Sequence, residues 1–91
     1  MNIMSMTLTK EDLADEFAVS LAHILASANR RASQLGFDVA QCLVTISQHF
    51  DGGWLWRINY GPKNPSEQRG GDLVVEVSAD SAEVRRVLRG Q

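Results

Sequence analysis

The chain has 91 residues, of which 44% are hydrophobic and 22% are charged, and its formal net charge is −2 at pH 7. This length supports one hydrophobic core and excludes folds that need roughly 200 residues, such as a TIM barrel. The near-average composition excludes disordered and low-complexity classes, and the slightly acidic balance argues against a general binder of polyanions. We therefore expect residues 1–91 to form a single domain.

The cysteine content and the apolar runs indicate a cellular compartment. Cys42 is the only cysteine, so an intramolecular disulfide has no partner, which favours a reducing environment. Residues 1–8, expected to be a flexible N-terminus, lack the basic segment of a signal peptide. No apolar run approaches the ~20 residues of a membrane helix. These features predict a cytoplasmic protein that does not contact a membrane.

The first predicted element is an amphipathic helix over about residues 10–34. Thr9 and Asp12 have the spacing of a capping-box variant at its start, and Gly36 supplies a left-handed stop after its end. One side of this helix is apolar at helical spacing, and we expect that side to face the core. Its members are Leu13, Ala14, Phe17, Ala18, Leu21, Ile24, Leu25, Ala28, Ala32 and Leu35.

The apolar period then changes from 3.6 to 2, which predicts β-strands. A first strand over residues 40–50 is joined to a second over residues 54–60 by a hairpin turn, Asp51-Gly52-Gly53. Proline and glycine predict a long loop over residues 61–71, and a third strand follows over residues 73–78. Polar residues are expected on the outer face of this sheet, including Gln41, Thr45, Ser47, Arg57, Asn59 and Glu76.

Residues 80–89 allow two interpretations. In one, a turn leads into a fourth strand with Val84 and Leu88 facing inward. In the other, a capping box opens a short helix with an apolar stripe of Val84, Val87 and Leu88. Periodicity favours the helix, because Arg86 would otherwise lie on the inner face of a strand.

Two motifs resemble small bacterial cystatin-like domains of the PepSY type. One is the aromatic strand Trp54-Leu55-Trp56-Arg57-Ile58. The other is the stretch 75–84, which resembles the family pattern Val-x-Val-Asp-Ala-x-Thr-Gly-x-Val, with Ser78 at the Asp position and Ser81-Ala82 at Thr-Gly. The chain is also similar to short NTF2-like immunity proteins, which share a Trp-containing strand and a Gly-Gly before a Val-rich strand. Both resemblances imply a fourth strand, and neither supplies catalytic residues.

The predicted fold class is therefore α+β, with one N-terminal helix packed on a four-stranded antiparallel sheet in the order α-β-β-β-β. The alternative is a short helix as the last element. The apolar side of the helix and one face of the sheet can bury each other, which produces a two-layer core. The helix and sheet together span residues 9–89.

Four aromatic residues share one face of the hairpin and form a candidate ligand site. These are Phe50, Trp54, Trp56 and Tyr60. One interpretation makes them part of the core beneath the helix. The other makes them the lining of a pocket between helix and sheet that accepts a small apolar molecule.

A second candidate site is a polar and basic interaction surface. It consists of Arg57, Asn59, Arg85, Arg86 and Arg89. With a helix as the last element, the order α-β-β-β-α would match a double-stranded-RNA-binding domain. That family begins its last helix with lysines, whereas residues 80–83 here include two acidic residues and no lysine, so nucleic acid is disfavoured.

The sequence shows no catalytic or metal-binding constellation. His23, His49 and Cys42 have no ligand spacing, and Cys42 has the core-facing parity of its strand while His49 has the opposite parity. We therefore expect no enzyme activity, no metal and no cofactor. The predicted function is a binding module, inhibitory or immunity-like, that contacts a protein through its sheet or the loop 61–71, with homodimerisation as one form. The alternatives are a carrier of small apolar molecules and, third, a binder of duplex RNA.

Overall fold

A computed structural model describes residues 7–64 and 71–90 of the chain. Its elements are α1 (Lys10–Ala14), α2 (Glu16–Gln34), a 3-10 turn (Val39–Gln41), β1 (Cys42–Phe50), β2 (Trp54–Pro62), β3 (Leu73–Ser78) and β4 (Val84–Arg89). The strands form an antiparallel sheet in the order β1-β2-β3-β4, so β1 and β4 are its edges. This confirms the predicted α+β class and its fourth strand. Most of the predicted N-terminal segment and loop, residues 1–6 and 65–70, lies outside the described residues.

The prediction of one continuous helix is wrong at Asp15. This residue has extended backbone angles (φ −81, ψ 98), which end α1, and its carboxylate accepts a hydrogen bond from the Ala18 N–H at the start of α2. Aspartate favours this N-cap geometry because its short side chain satisfies backbone N–H groups that a new helix leaves unpaired. The predicted capping box is confirmed, since Thr9 and Asp12 exchange hydrogen bonds of 2.9 and 3.1 Å. Gly36 adopts the predicted left-handed backbone, with φ +90.

The core lies between α2 and the inner face of the sheet, chiefly over β3. Its fully buried members are Ile24, Ala28 and Ala32 from α2 and Ile58, Tyr60, Leu73, Val75 and Val77 from the sheet. The alanines let the helix approach the strands closely, so the interface is filled by side chains. Leu13 and Phe17 were predicted to belong to this core, yet they are 59% and 64% exposed because the helical segment extends beyond the part of the sheet that it covers.

A β-bulge explains why the last strand has helical periodicity. Glu76 pairs with Arg86, whereas the next residue, Val77, pairs with Val84, so β4 contains one extra residue, Arg85. Val84 and Val87 consequently both pack against the core at a spacing of three. Arg86 faces outward, which corrects the argument against a strand.

The same shift in register also changes the direction of one side chain relative to the predicted fourth strand. Leu88 was expected to face inward, but it pairs with Val74 on the outer face and is 40% exposed. The correction follows from the period of two along a strand, because one extra residue moves every later side chain to the opposite face.

Candidate interaction surface

Helix α2 packs over β2, β3 and β4, and on the inner face of β1 the residues from Ile46 to Phe50 are exposed. Ile46 and Ile58 are directly paired in neighbouring strands, yet Ile46 is 38% exposed and Ile58 is fully buried. Towards the turn, Phe50 and Trp54 are 65% and 55% exposed. The core therefore reaches Cys42 and Val44 at the start of β1 and stops before Ile46, although the apolar pattern of the inner face continues to Phe50.

The exposed apolar residues at this end form one surface, which we call the aromatic patch. It consists of Phe17, Ile46, Phe50, Trp54 and the half-buried Trp56. The rings of Phe50 and Trp54 meet edge to face with centroids 5.1 Å apart, and those of Phe17 and Trp56 are tilted with centroids 6.1 Å apart. Such pairs contribute about 0.5–1.5 kcal/mol beyond area burial, so the rings are held in place while they remain exposed.

The four aromatic residues predicted as a ligand site lie in two different environments. Tyr60 is fully buried, and its hydroxyl donates a 2.8 Å hydrogen bond to Asn29 Oδ1. Burial raises the pKa of Tyr60 to about 12. Trp56 packs against the core, whereas Phe50 and Trp54 are exposed beside the turn. The structure thus places Tyr60 in the core and the other three in the aromatic patch, which also includes Phe17 and Ile46.

The outer face of the sheet has a three-residue ion-pair ladder across β2, β3 and β4. Glu76 is 3% exposed and lies between two arginines. Its carboxylate accepts hydrogen bonds from Arg57 Nε at 2.9 Å and from Arg86 Nε at 3.0 Å. The hydrogen bond from Arg86, with that from Arg57, lowers the pKa of Glu76 against the opposing effect of burial. Glu76 therefore lies on the outer face as predicted, but it is buried there beside the two arginines.

The predicted interaction residues do not form one surface. Arg57, Asn59 and Arg86 share the outer face, where Asn59 Nδ2 donates to Asp72 Oδ2 at 3.0 Å. Arg89 is drawn to the helix side, since its guanidinium donates to the Leu35 carbonyl at 3.2 Å and lies 5.4 Å from the Phe37 ring centroid. Arg85 occupies the exposed bulge.

The nucleophilic side chains lie apart from the aromatic rings. The Cys42 thiol donates to the Asp38 carbonyl at 3.4 Å, and burial, reinforced by the Asp38 charge, raises its pKa. Sequence reasoning missed the 2.8 Å contact between Ser47 Oγ and His49 Nε2, although a spacing of two along a strand places both on one face. This pair lies on the outer face of an edge strand, whereas nucleophilic catalysis needs an oriented base and a substrate cavity.

The structure also has a groove at the solvent side of the helices. It measures about 600 Å³ and lies between α1 and the first turns of α2. Its lining includes the apolar Leu8, Leu13 and Val19 and the acidic Asp12 and Asp15. Its position differs from the predicted pocket, which was expected between helix and sheet.

The comparisons with known proteins add no further residue to these sites. Searches against protein-family models, curated proteins and solved structures give no significant match. Within residues 7–64 and 71–90, no group of three or more His, Cys, Asp and Glu side chains could hold a metal ion. In the same ranges, neither helix has the length and apolar character required to cross a bilayer. The functional argument therefore depends on the geometry of the chain.

Proposed function

We propose that this chain is a non-enzymatic protein-interaction module that binds its partner through the uncovered β1 side of the sheet. The observation that carries the proposal is the aromatic patch beside a filled core. Contiguous apolar surface of this kind marks interaction sites on soluble domains, and aromatic residues are enriched in the buried centres of protein interfaces.

The size of the patch fits this role. Phe17, Phe50 and Trp54 are each more than half exposed, and Ile46 is 38% exposed. An aromatic side chain buries about 150–250 Å² when covered, so the patch offers on the order of 400 Å². This is roughly half of the ~800 Å² that each partner contributes to a standard interface. Polar groups around the patch would supply the remainder.

The outer face supports the proposal less strongly than the aromatic patch. Arg57 and Arg86 already bind the buried Glu76, so their charges are partly neutralised within the chain. The same pairing weakens the interpretation as a binder of duplex RNA, which also required a helix where β4 lies. The outer face is therefore better explained as a structural layer of the sheet.

The carrier interpretation has less support for a similar reason. The space between helix and sheet is occupied by fully buried side chains, among them Ala28, Ile58 and Tyr60. A small apolar molecule would have to displace this packing. The proposal also includes a cytoplasmic location, which is based on the sequence composition. It includes an inhibitory or immunity-like role, which is based on the resemblances to known families.

Photo-crosslinking tests the proposal directly. Phe50 is replaced by p-benzoylphenylalanine in the full chain, and a matched variant carries the probe at Ser33, an exposed residue of α2 distant in sequence from the patch. On irradiation in intact cells, we expect covalent protein adducts from position 50 and none above background from position 33. Equal labelling at both positions, or none at position 50, would contradict an interaction site at the aromatic patch.

A further inference from the structure

Within the part of the chain that the structure describes, no strand pairs with the outer edge of β1. Its nine residues, Cys42–Phe50, include no charged residue, proline or glycine, and its ladder to β2 runs without a register shift. Natural sheets usually protect their edges with charges, prolines, bulges or a covering element. β1 has none of the first three, and in the described residues α2 packs over β2, β3 and β4 rather than along this edge.

The backbone direction identifies which groups are presented at this edge. The Ala79 N–H donates to the Trp54 carbonyl at 3.1 Å, so Trp54 directs its backbone groups towards β3. Backbone groups alternate in direction along an antiparallel strand, and the odd-numbered residues of β2 therefore face β1. Through the observed register, Val44, Ile46 and Gln48 direct their N–H and C=O groups to the free edge.

We propose that a second copy of this chain pairs with β1 in antiparallel orientation about a two-fold axis at Ile46. The inference rests on the proposed function, because it names the partner of the same uncovered side. Ile46 is the midpoint of Cys42–Phe50, so this axis pairs all nine residues. It sets Ile46 opposite itself, Val44 opposite Gln48 of the second copy, and Cys42 opposite its Phe50.

The side chains of β1 are compatible with their own copy in this register. Thr45 meets Ser47 of the second copy, a hydroxyl pair on the outer face, and the large Phe50 meets the small Cys42. Cross-strand pairs of this kind stabilise sheets, whereas like charges directly opposite each other destabilise them. Pairing of β4 with itself would bring the arginines of two copies together, so β1 is the edge suited to a second copy.

Symmetry also places the two aromatic patches on the same side of the joined sheet. A two-fold axis that makes two strands antiparallel must stand perpendicular to the sheet, so both inner faces lie on the same side. The two Ile46 side chains then meet at the axis on the inner face, and each Phe50 lies near an end of the strand pair, separated from Ile46 by Gln48. The strand contact is about 30 Å long at 3.3 Å per residue.

A matched pair of charge variants tests this inference by sedimentation equilibrium of the full chain. Thr45→Glu/Ser47→Glu places like charges opposite each other across the axis, and Thr45→Lys/Ser47→Glu places opposite charges there. We expect the wild type and the second variant to dimerise and the first to dimerise at least about tenfold more weakly, a difference that shrinks at 1 M salt. Thermal unfolding establishes that both variants are folded. A monomeric wild type at about 1 mM, or equal dimerisation of the two variants, would overturn the inference.

Cysteine crosslinking tests the register. In a Cys42→Ser background, Ile46→Cys puts two thiols in directly opposed positions, where Cα atoms about 5.5 Å apart suit a disulfide. The control, Gln48→Cys, lies about 13 Å along the strand from its own copy. With oxidised glutathione we expect a disulfide-linked dimer from the first variant and not from the second. No crosslink from the first, or equal crosslinking of both, would overturn pairing at Ile46.

The two proposals fail in different ways. A photo-adduct from position 50 at twice the mass of the chain supports both. An adduct of another mass, together with a monomeric wild type, leaves the interaction module intact but overturns the second copy as its partner. Absence of any adduct at position 50 contradicts the interaction module itself.

Discussion

β4 carries three arginines and a bulge, whereas β1 is longer and carries no charged residue. The arginines of β4 also have local partners: Arg86 binds Glu76, and Arg89 reaches the carbonyl of Leu35 and the ring of Phe37. Helix α2 contacts β4, whereas Ile46 and Phe50 on the inner face of β1 remain exposed. In the described part of the chain both edges have outward-facing backbone groups, but the edge at β4 also has charged side chains, whereas the edge at β1 has exposed apolar ones.

The largest expected change in stability comes from replacing Ile58, and the matched comparison is Ile46, its partner in the β1–β2 ladder. Ile58→Ala removes a fully buried side chain and should lower the free energy of unfolding by about 2–5 kcal/mol, whereas Ile46→Ala should cost only about 1 kcal/mol. Urea denaturation at low protein concentration measures both in the monomer. Equal losses would show that the core extends to Ile46, contrary to the comparison between the edges.

Disrupting the ion-pair ladder across β2, β3 and β4 is expected to lower the free energy of unfolding by a smaller amount. Glu76→Gln removes the buried charge that Arg57 and Arg86 share, and we expect a loss of about 1–2 kcal/mol, limited by the solvent exposure of both arginines. The exposed Glu83→Gln in the preceding turn is the matched control and should change stability by less than about 0.5 kcal/mol. Similar values for the two variants would contradict the stabilising role of the ladder.

The lowered pKa of Glu76 gives the same ladder a pH dependence. Its stabilising contribution is complete above the ordinary value of 4.5 and is lost as the pH falls through the lower pKa of the folded state. We therefore expect the stability difference between wild type and Glu76→Gln to narrow below pH 4.5. Denaturation curves measured from pH 6 downward check this, and a constant difference would contradict the shift.

The smallest expected effect concerns the turn before β4. Ala82 has a left-handed backbone with φ 61, which is unfavourable for a residue with a side chain. Ala82→Gly relieves this strain, offset by greater freedom of the unfolded chain and loss of a half-buried methyl group, so we expect a gain of about 0.5 kcal/mol. Differential scanning calorimetry measures it. A loss of stability would show that packing of the methyl group outweighs the strain.

Much of the fold could be predicted because the spacing of apolar residues along the sequence indicates which side chains are buried. Alternation identified the inner faces of β2 and β3, and Thr9, Asp12 and Gly36 marked helix boundaries correctly. The break at Asp15 was missed because its neighbours continue the helical period, so only the capping tendency of aspartate indicated it. The bulge in β4 was missed because one extra residue converts a period of two into a spacing of three.

The aromatic patch was harder to predict from local pattern. Periodicity places Phe17 and Ile46 on the core-facing side, but it does not say how far the opposite layer extends. Element lengths contain a signal: a helical segment of 25 residues would span about 37 Å, whereas strands of six to nine residues span about 20–30 Å. The greater length of the helical segment predicts that part of the apolar surface is left uncovered. The location of that surface beside β1, however, depends on where α2 packs. That placement is a property of the tertiary structure.

Amide hydrogen exchange at two protein concentrations tests the difference between the edges most directly. Val44 and Ile46 direct their N–H groups to the free edge at β1. Val87 and Arg89 do so at β4, because the adjacent Gly90 N–H donates to Asp72. Raising the concentration from about 10 μM to about 1 mM should slow exchange at Val44 and Ile46 and leave Val87 and Arg89 unchanged. Exchange at Val44 and Ile46 that is independent of concentration, or equal slowing at both edges, would contradict pairing through β1.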